Sequence, residues 1–100
     1  MSAYSEYQLD QIWLNTTRPL GVLYRLEHPT DARMDESGNV IYRSRYGQAH
    51  LSHSWEVDHR NALALGGPHN TSNLRALACT ANRSLGGLLG NFLAELHQQK

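Results

Sequence analysis

The sequence predicts a small α+β domain. Three observations lead there: a capping signature followed by apolar residues at helical spacing near the N-terminus, short strand-like stretches bounded by turn residues in the middle, and a second apolar stripe of helical period near the C-terminus. One hundred residues make one domain with one modest core, so residues 1–100 are read as a single unit. Forty per cent apolar and 18% charged residues is the composition of a globule rather than of a disordered chain.

Ser5-Glu6-Tyr7-Gln8 reads as a capping box, with Tyr4 and Leu9 placed for a hydrophobic staple. Leu9, Ile12 and Trp13 then share one face of the helix, and Arg18-Pro19 with Gly21 ends it. Val22 to Leu26 is short and apolar, and its pattern fits strand or helix. Glu36-Ser37-Gly38-Asn39 is turn chemistry and Val40-Ile41-Tyr42 is strand-like, which together suggest a short upstream hairpin. Ser44 to Ser54 is polar and reads as loop. Trp55-Glu56-Val57-Asp58 alternates as a strand does, with Trp55 expected in the core, and Gly66-Gly67-Pro68 is a strong break. Asn73 to Leu77 reads as a short strand or its end. Thr80 is placed to cap a helix carrying Asn82 to Leu85, stopped by Gly86-Gly87. Leu88, Leu89, Phe92, Leu93 and Leu96 form the stripe of a last helix, suited to core packing or to a dimer contact.

Net charge is zero, but it is unevenly spread. Residues 1–38 carry three arginines against six carboxylates, and residues 39–94 carry five arginines against two. The second half is therefore the expected face for a phosphate backbone. Eight of the nine basic residues are arginine, whose planar fork suits phosphate. With one cysteine, Cys79, no internal disulfide can form. No apolar run is long enough to span a bilayer and residues 1–6 lack the layout of a signal peptide, so a cytoplasmic protein without membrane contact is the default expectation.

The chemistry concentrates between Trp55 and Gly87. Asp58-His59 is followed by Gly66-Gly67, by Ser72-Asn73-Leu74-Arg75, and by Asn82-Arg83-Ser84-Leu85-Gly86. Phosphodiester hydrolysis needs a base for water and positive charge on the phosphate. A neutral imidazole can serve as the base, and one carboxylate with one amide carbonyl is a normal donor set for a hard divalent cation. Strict strand alternation sends the neighbours Asp58 and His59 to opposite faces, so a break in regular pairing is expected at or just after Asp58.

This ordered set resembles the HNH nuclease family. The resemblance extends upstream over Asp35-Glu36-Ser37-Gly38, Val40-Ile41 and Tyr46-Gly47, leaving only about the last dozen residues outside it. It implies a ββα-metal motif over residues 55–87, with the N-terminal helix, the upstream hairpin and the C-terminal helix around it. It implies an endonuclease that hydrolyses phosphodiester bonds in DNA and leaves a 5′-phosphate, with RNA open as a substrate. His59 matches the general base, Asp58 and Asn82 match ligands of one divalent cation, and Asn73 matches the residue that braces the loop between the strands. Mg²⁺ or Mn²⁺ is expected, with Zn²⁺ or Ni²⁺ as alternatives. Arg75, Arg83 and Arg60 are the candidates for phosphate contacts.

Three departures from the family pattern stand out. The Cys-x-x-Cys pairs that hold a structural zinc in many members are absent, with Ala78 and Ala81 at the second pair's positions, so no structural zinc is expected and Cys79 reads as a small buried hydrophobe. Leu85 stands where a lysine is frequent, and Arg60 where an aliphatic residue is usual. His50 and His53 fall in the loop before the motif, His69 in the Gly-Gly-Pro loop, and His28 and His97 read as surface residues. The alternative function is a catalytically silent HNH-fold module that binds nucleic acid or protein. A homodimer, or a phage or bacterial partner protein, is the partner the sequence leaves open. Little surface remains for reading bases in a groove, and Glu6 and Asp10 disfavour the N-terminal helix for that task.

Overall fold

The computed structural model describes residues 3–61 and 71–80. These form two helices and two small antiparallel sheets: α1 (Glu6–Thr16), α2 (Val22–Arg25), β1 (Ala32–Met34), β2 (Val40–Tyr42), β3 (Trp55–His59) and β4 (Leu74–Ala78), with 3₁₀ turns at Arg43–Arg45 and Thr71–Asn73. The architecture is α+β. Gly66-Gly67, Asn82, Arg83, Leu85, His69, His97 and the stripe from Leu88 to Leu96 lie outside the described residues.

Helix α1 begins with the capping box. Ser5 Oγ accepts from the Gln8 backbone N–H (3.1 Å) and Gln8 Oε1 accepts from the Ser5 N–H (2.8 Å), which satisfies two donors the helix leaves over. Leu9, Ile12, Trp13 and Thr16 are its buried face, and the helix stops at Thr17, before Pro19. Val22–Arg25 resolves as helix rather than strand, and Val22, Leu23, Tyr24 and Leu26 are all exposed.

The hairpin pairs Ala32 with Tyr42, Arg33 with Ile41 and Met34 with Val40. Its turn uses Gly38 at φ +88°, a conformation in which a side chain is strained. The second sheet pairs Trp55 with Ala78, Val57 with Ala76 and His59 with Leu74 on one face, and Glu56 with Leu77 and Asp58 with Arg75 on the other. The first face, the apolar face of α1 and Ile41 of β2 make the main core, Leu9, Ile12, Trp13, Ile41, Trp55, Leu74, Ala76 and Ala78, against which Tyr4, Tyr46 and Val57 pack. The Trp13 and Trp55 ring centroids lie 5.0 Å apart, and that of Tyr46 lies 4.9 Å from Trp55. Small residues at 76 and 78 let α1 approach the sheet closely enough for the indoles to interleave. Burial, and then the neighbouring Tyr46, push the Tyr4 phenol above its usual range.

Strand β4 has β3 on one side only, and its other edge needs acceptors for its backbone N–H groups. Two buried side chains supply them. Thr16 Oγ1 accepts from Ala76 N (2.9 Å) while donating to Ile12 O (2.7 Å), and Asp35 Oδ2 accepts from Ala78 N (2.9 Å). Asp35 is fully buried, and its Oδ1 also accepts from Ser37 N (3.0 Å) and Asn39 N (2.8 Å). One carboxylate thus shapes the hairpin turn and fastens it to the edge of β4.

Three expectations need correction. Cys79 and Thr80 are already helical, so Thr80 is a helical residue rather than the cap expected before a helix. His28 is half-buried rather than a surface residue. Its Nδ1 lies 2.8 Å from Tyr42 Oη, and its ring contacts His53 at 5.2 Å. Cys79 is buried, but it is not only a hydrophobe, because its Sγ donates to Glu56 Oε1 at 3.3 Å. Among the described residues no helix is long and apolar enough to cross a membrane.

Candidate active site

Asp58 and His59 are the last two residues of β3, and both are half-buried. Regular pairing runs through His59 opposite Leu74, so the expected break falls after His59, one residue later than a break at Asp58. Alternation therefore holds at the pair itself. Asp58 shares a face with Arg75, and His59 shares the core face with Val57 and Leu74. Only the chain beyond His59 departs from the strand.

That departure is held by Asn73. Arg60 N donates to Asn73 O (2.8 Å), which is the last bond of the ladder. The Asn73 amide then spans the next residue: Oδ1 accepts from Asn61 N (2.8 Å) and Nδ2 donates to Asn61 O (2.9 Å). Asn73 is buried, and an amide is the side-chain type able to satisfy an N–H and a C=O of one residue together. The same side chain thus sets the direction in which the backbone leaves Asp58-His59. Asn82 and Arg83 lie outside the described residues, so the described part of the site consists of Asp58, His59, Asn73, Arg60 and Arg75.

The two arginines are engaged. Arg75 Nε donates to Asp58 Oδ2 at 3.0 Å, as a cross-strand pair of opposite charge. Arg75 also faces Glu36 Oε1 at 3.9 Å, and Arg60 binds Glu36 Oε2 at 2.6 Å. Glu36 belongs to the hairpin turn, and the sequence marked it as turn chemistry and as part of the upstream resemblance, not as a site residue. Nothing in local spacing signals that the turn reaches the other sheet, which it does through Asp35 and Ala78 across 43 residues and through Glu36 and the two arginines.

Asp58 offers a hard carboxylate donor that fits a divalent cation such as Mg²⁺ or Mn²⁺. Arg75 occupies only Oδ2, so a cation can bind through Oδ1 beside it, or share or displace it at Oδ2. Among the described residues no group of three or more His, Cys, Asp or Glu side chains could hold a metal ion. Beside the strand ends opens a hollow of about 310 Å³ lined by Asn15, Thr16, Arg60, Ser72 and Leu74, the last being the cross-strand partner of His59. A larger cavity of about 490 Å³ includes Trp13, Leu20, Arg25, His28 and Arg33 in its lining and touches none of Asp58, His59, Asn73 or Arg75. Size alone would select the larger cavity, but of the two only the smaller hollow is lined by a residue of the described site, Arg60.

Comparison with protein-family models, with curated proteins and with solved structures gave no match.

Proposed function

We propose that this protein is an HNH-type endonuclease that hydrolyses phosphodiester bonds in DNA. One observation carries the reading: an Asp-His pair ends a strand, and the buried Asn73 amide clasps the backbone as it leaves that pair. A clasp of this kind favours one backbone path past His59, which is what a base aimed at a single water requires.

In this mechanism the neutral His59 imidazole takes a proton from water as the water oxygen attacks phosphorus. The bond from phosphorus to the 3′-oxygen breaks, solvent protonates that oxygen, and the 5′-phosphate remains on the other fragment. Asp58, with Asn82, would hold one divalent cation, which when bound supplies positive charge to the phosphate. Arg60 and Arg75 contact flanking phosphates and position the strand.

A catalytically silent binding module is the second reading. It draws on the ion pair between Arg75 and Asp58, which satisfies the carboxylate without a cation. Supercoiled plasmid incubated with EDTA, Mg²⁺, Mn²⁺, Zn²⁺ or Ni²⁺ separates the two. The nuclease reading expects nicking or linearisation with metal only, and its loss in Asn82→Ala. Binding without cutting under every metal, on single strands and RNA as well, establishes the module instead.

A further inference from the structure

Glu36 stands out for where it lies and what it touches. It sits at the tip of the β1–β2 hairpin, yet its carboxylate reaches Arg60, just past the end of β3, at 2.6 Å and Arg75 of β4 at 3.9 Å. Its place is built in. The adjacent Asp35 is fully buried and anchors the turn to Ala78 of β4 while fixing the loop through Ser37 N and Asn39 N. The turn therefore cannot drift from the arginines without breaking a buried charge-assisted hydrogen bond.

Glu36, Arg60 and Arg75 keep 30%, 41% and 22% of their side-chain surface. Ion pairs this open to water are weak and readily exchanged. With Asp58 included, two carboxylates neutralise two guanidinium groups, so these four described side chains together carry no surplus of positive charge until a partner leaves.

We propose that Glu36 is a specificity-determining residue of the phosphate contact, competing with the nucleic-acid backbone for Arg60 and Arg75. Glu36 imitates a phosphate from within the chain. A ligand replaces it only by bringing phosphates to both arginines, so a continuous backbone is favoured over a single phosphate. The inference rests on the nucleic-acid reading of the site, but not on cleavage.

The test is the binding of a fluorescent DNA duplex in EDTA as a function of NaCl. Glu36→Gln keeps the shape and removes the competing charge, and Glu27→Gln, on an exposed segment, serves as the charge control. Each additional phosphate neutralised by the protein steepens the slope of log K against log salt by roughly 0.9. Glu36→Gln is expected to bind several-fold tighter than wild type near 0.1 M salt, with a slope steeper by about one to two, while Glu27→Gln leaves the slope unchanged. Arg60→Ala with Arg75→Ala in the Glu36→Gln background should erase this tightening. A merely structural Glu36 would shift unfolding and leave the slope alone. Unaltered or weaker binding by Glu36→Gln overturns the proposal, as does absence of binding by both forms. If metal-dependent cleavage persists in that case, the nuclease reading stands without the competitor. Tighter Glu36→Gln binding with no cleavage by any form keeps the competitor and refutes the nuclease.

Discussion

Replacing Asp35 with alanine tests how the two sheets are joined. The carboxylate accepts from three backbone N–H groups, those of Ser37, Asn39 and Ala78, and it is fully buried. In the variant, water can reach the N–H groups of the hairpin turn. It cannot readily reach Ala78 N, because Ala78 is buried beneath that turn. An unsatisfied buried donor costs about 1–3 kcal/mol, and loss of the charge-assisted bonds in the turn adds about 1–2 kcal/mol. The sum, roughly 2–5 kcal/mol, is a large share of the total stability of about 5–15 kcal/mol expected for a domain. With a urea m-value near 1.5 kcal/mol per molar, the midpoint should fall by about 2 M at unchanged m. Asp35→Asn keeps one acceptor oxygen but turns an amide donor toward a backbone donor, so it should fall between wild type and Asp35→Ala. Urea titration followed by tryptophan fluorescence reads both, since Trp13 and Trp55 lie in the core. A midpoint shift under about 0.5 M for Asp35→Ala would refute the assignment of Asp35 as the fastener of the hairpin.

Further outcomes follow from other contacts. Thr16→Val keeps the shape of the side chain and leaves Ala76 N without its acceptor, at a cost of about 1–3 kcal/mol measured in the same titration. Asn73→Ala removes both bonds to Asn61, so kcat for plasmid nicking should fall by tenfold or more, roughly the rate cost of 1.4 kcal/mol of lost positioning, with the urea midpoint moving modestly. Asp31 gives a pH signature. Burial pushes its carboxyl upward, but bonds from the Ser44 backbone and hydroxyl, its own N–H and the nearby Arg45 outweigh this and hold it below its usual value. A folded value below the unfolded one contributes stability above an unfolded value of about 3.9, and this is lost as pH falls through the lower folded value. The stability gap between wild type and Asp31→Asn should therefore be present at pH 6 and shrink toward pH 3. A gap that widens on acidification contradicts the assignment.

What the sequence made legible was local. The capping box, the apolar face of α1 and the Gly38 turn depend on residues within four or five positions of one another, and period and turn chemistry report such contacts. The presence of β3 and β4 was legible for the same reason, though β3 runs one residue further, to His59, and β4 runs Leu74–Ala78 where Asn73 to Leu77 was read. Glu36, Asp35 and Thr16 stayed hidden because each acts across a long stretch of chain: Thr16 meets Ala76 60 residues away, and Asp35 meets Ala78 43 residues away. The burial of His28 also depends on a distant partner, Tyr42, and not on its polar neighbours. The helix start at Cys79 was not legible because Thr80 is a good cap residue by type, whereas the structure carries the strand almost directly into the helix.

The central claim is that His59 is the base of a metal-dependent phosphodiester hydrolysis. The direct measurement is the rate constant for nicking supercoiled plasmid in Mg²⁺ by wild type and by His59→Ala, with the fold of both checked by circular dichroism and EDTA as the blank. A base at His59 predicts a metal-dependent rate for wild type and a loss of roughly 10²–10⁴-fold in the folded variant, the range expected when a general base is removed. Equal rates in the two proteins, or a folded wild type that is inert with every divalent metal, would contradict it.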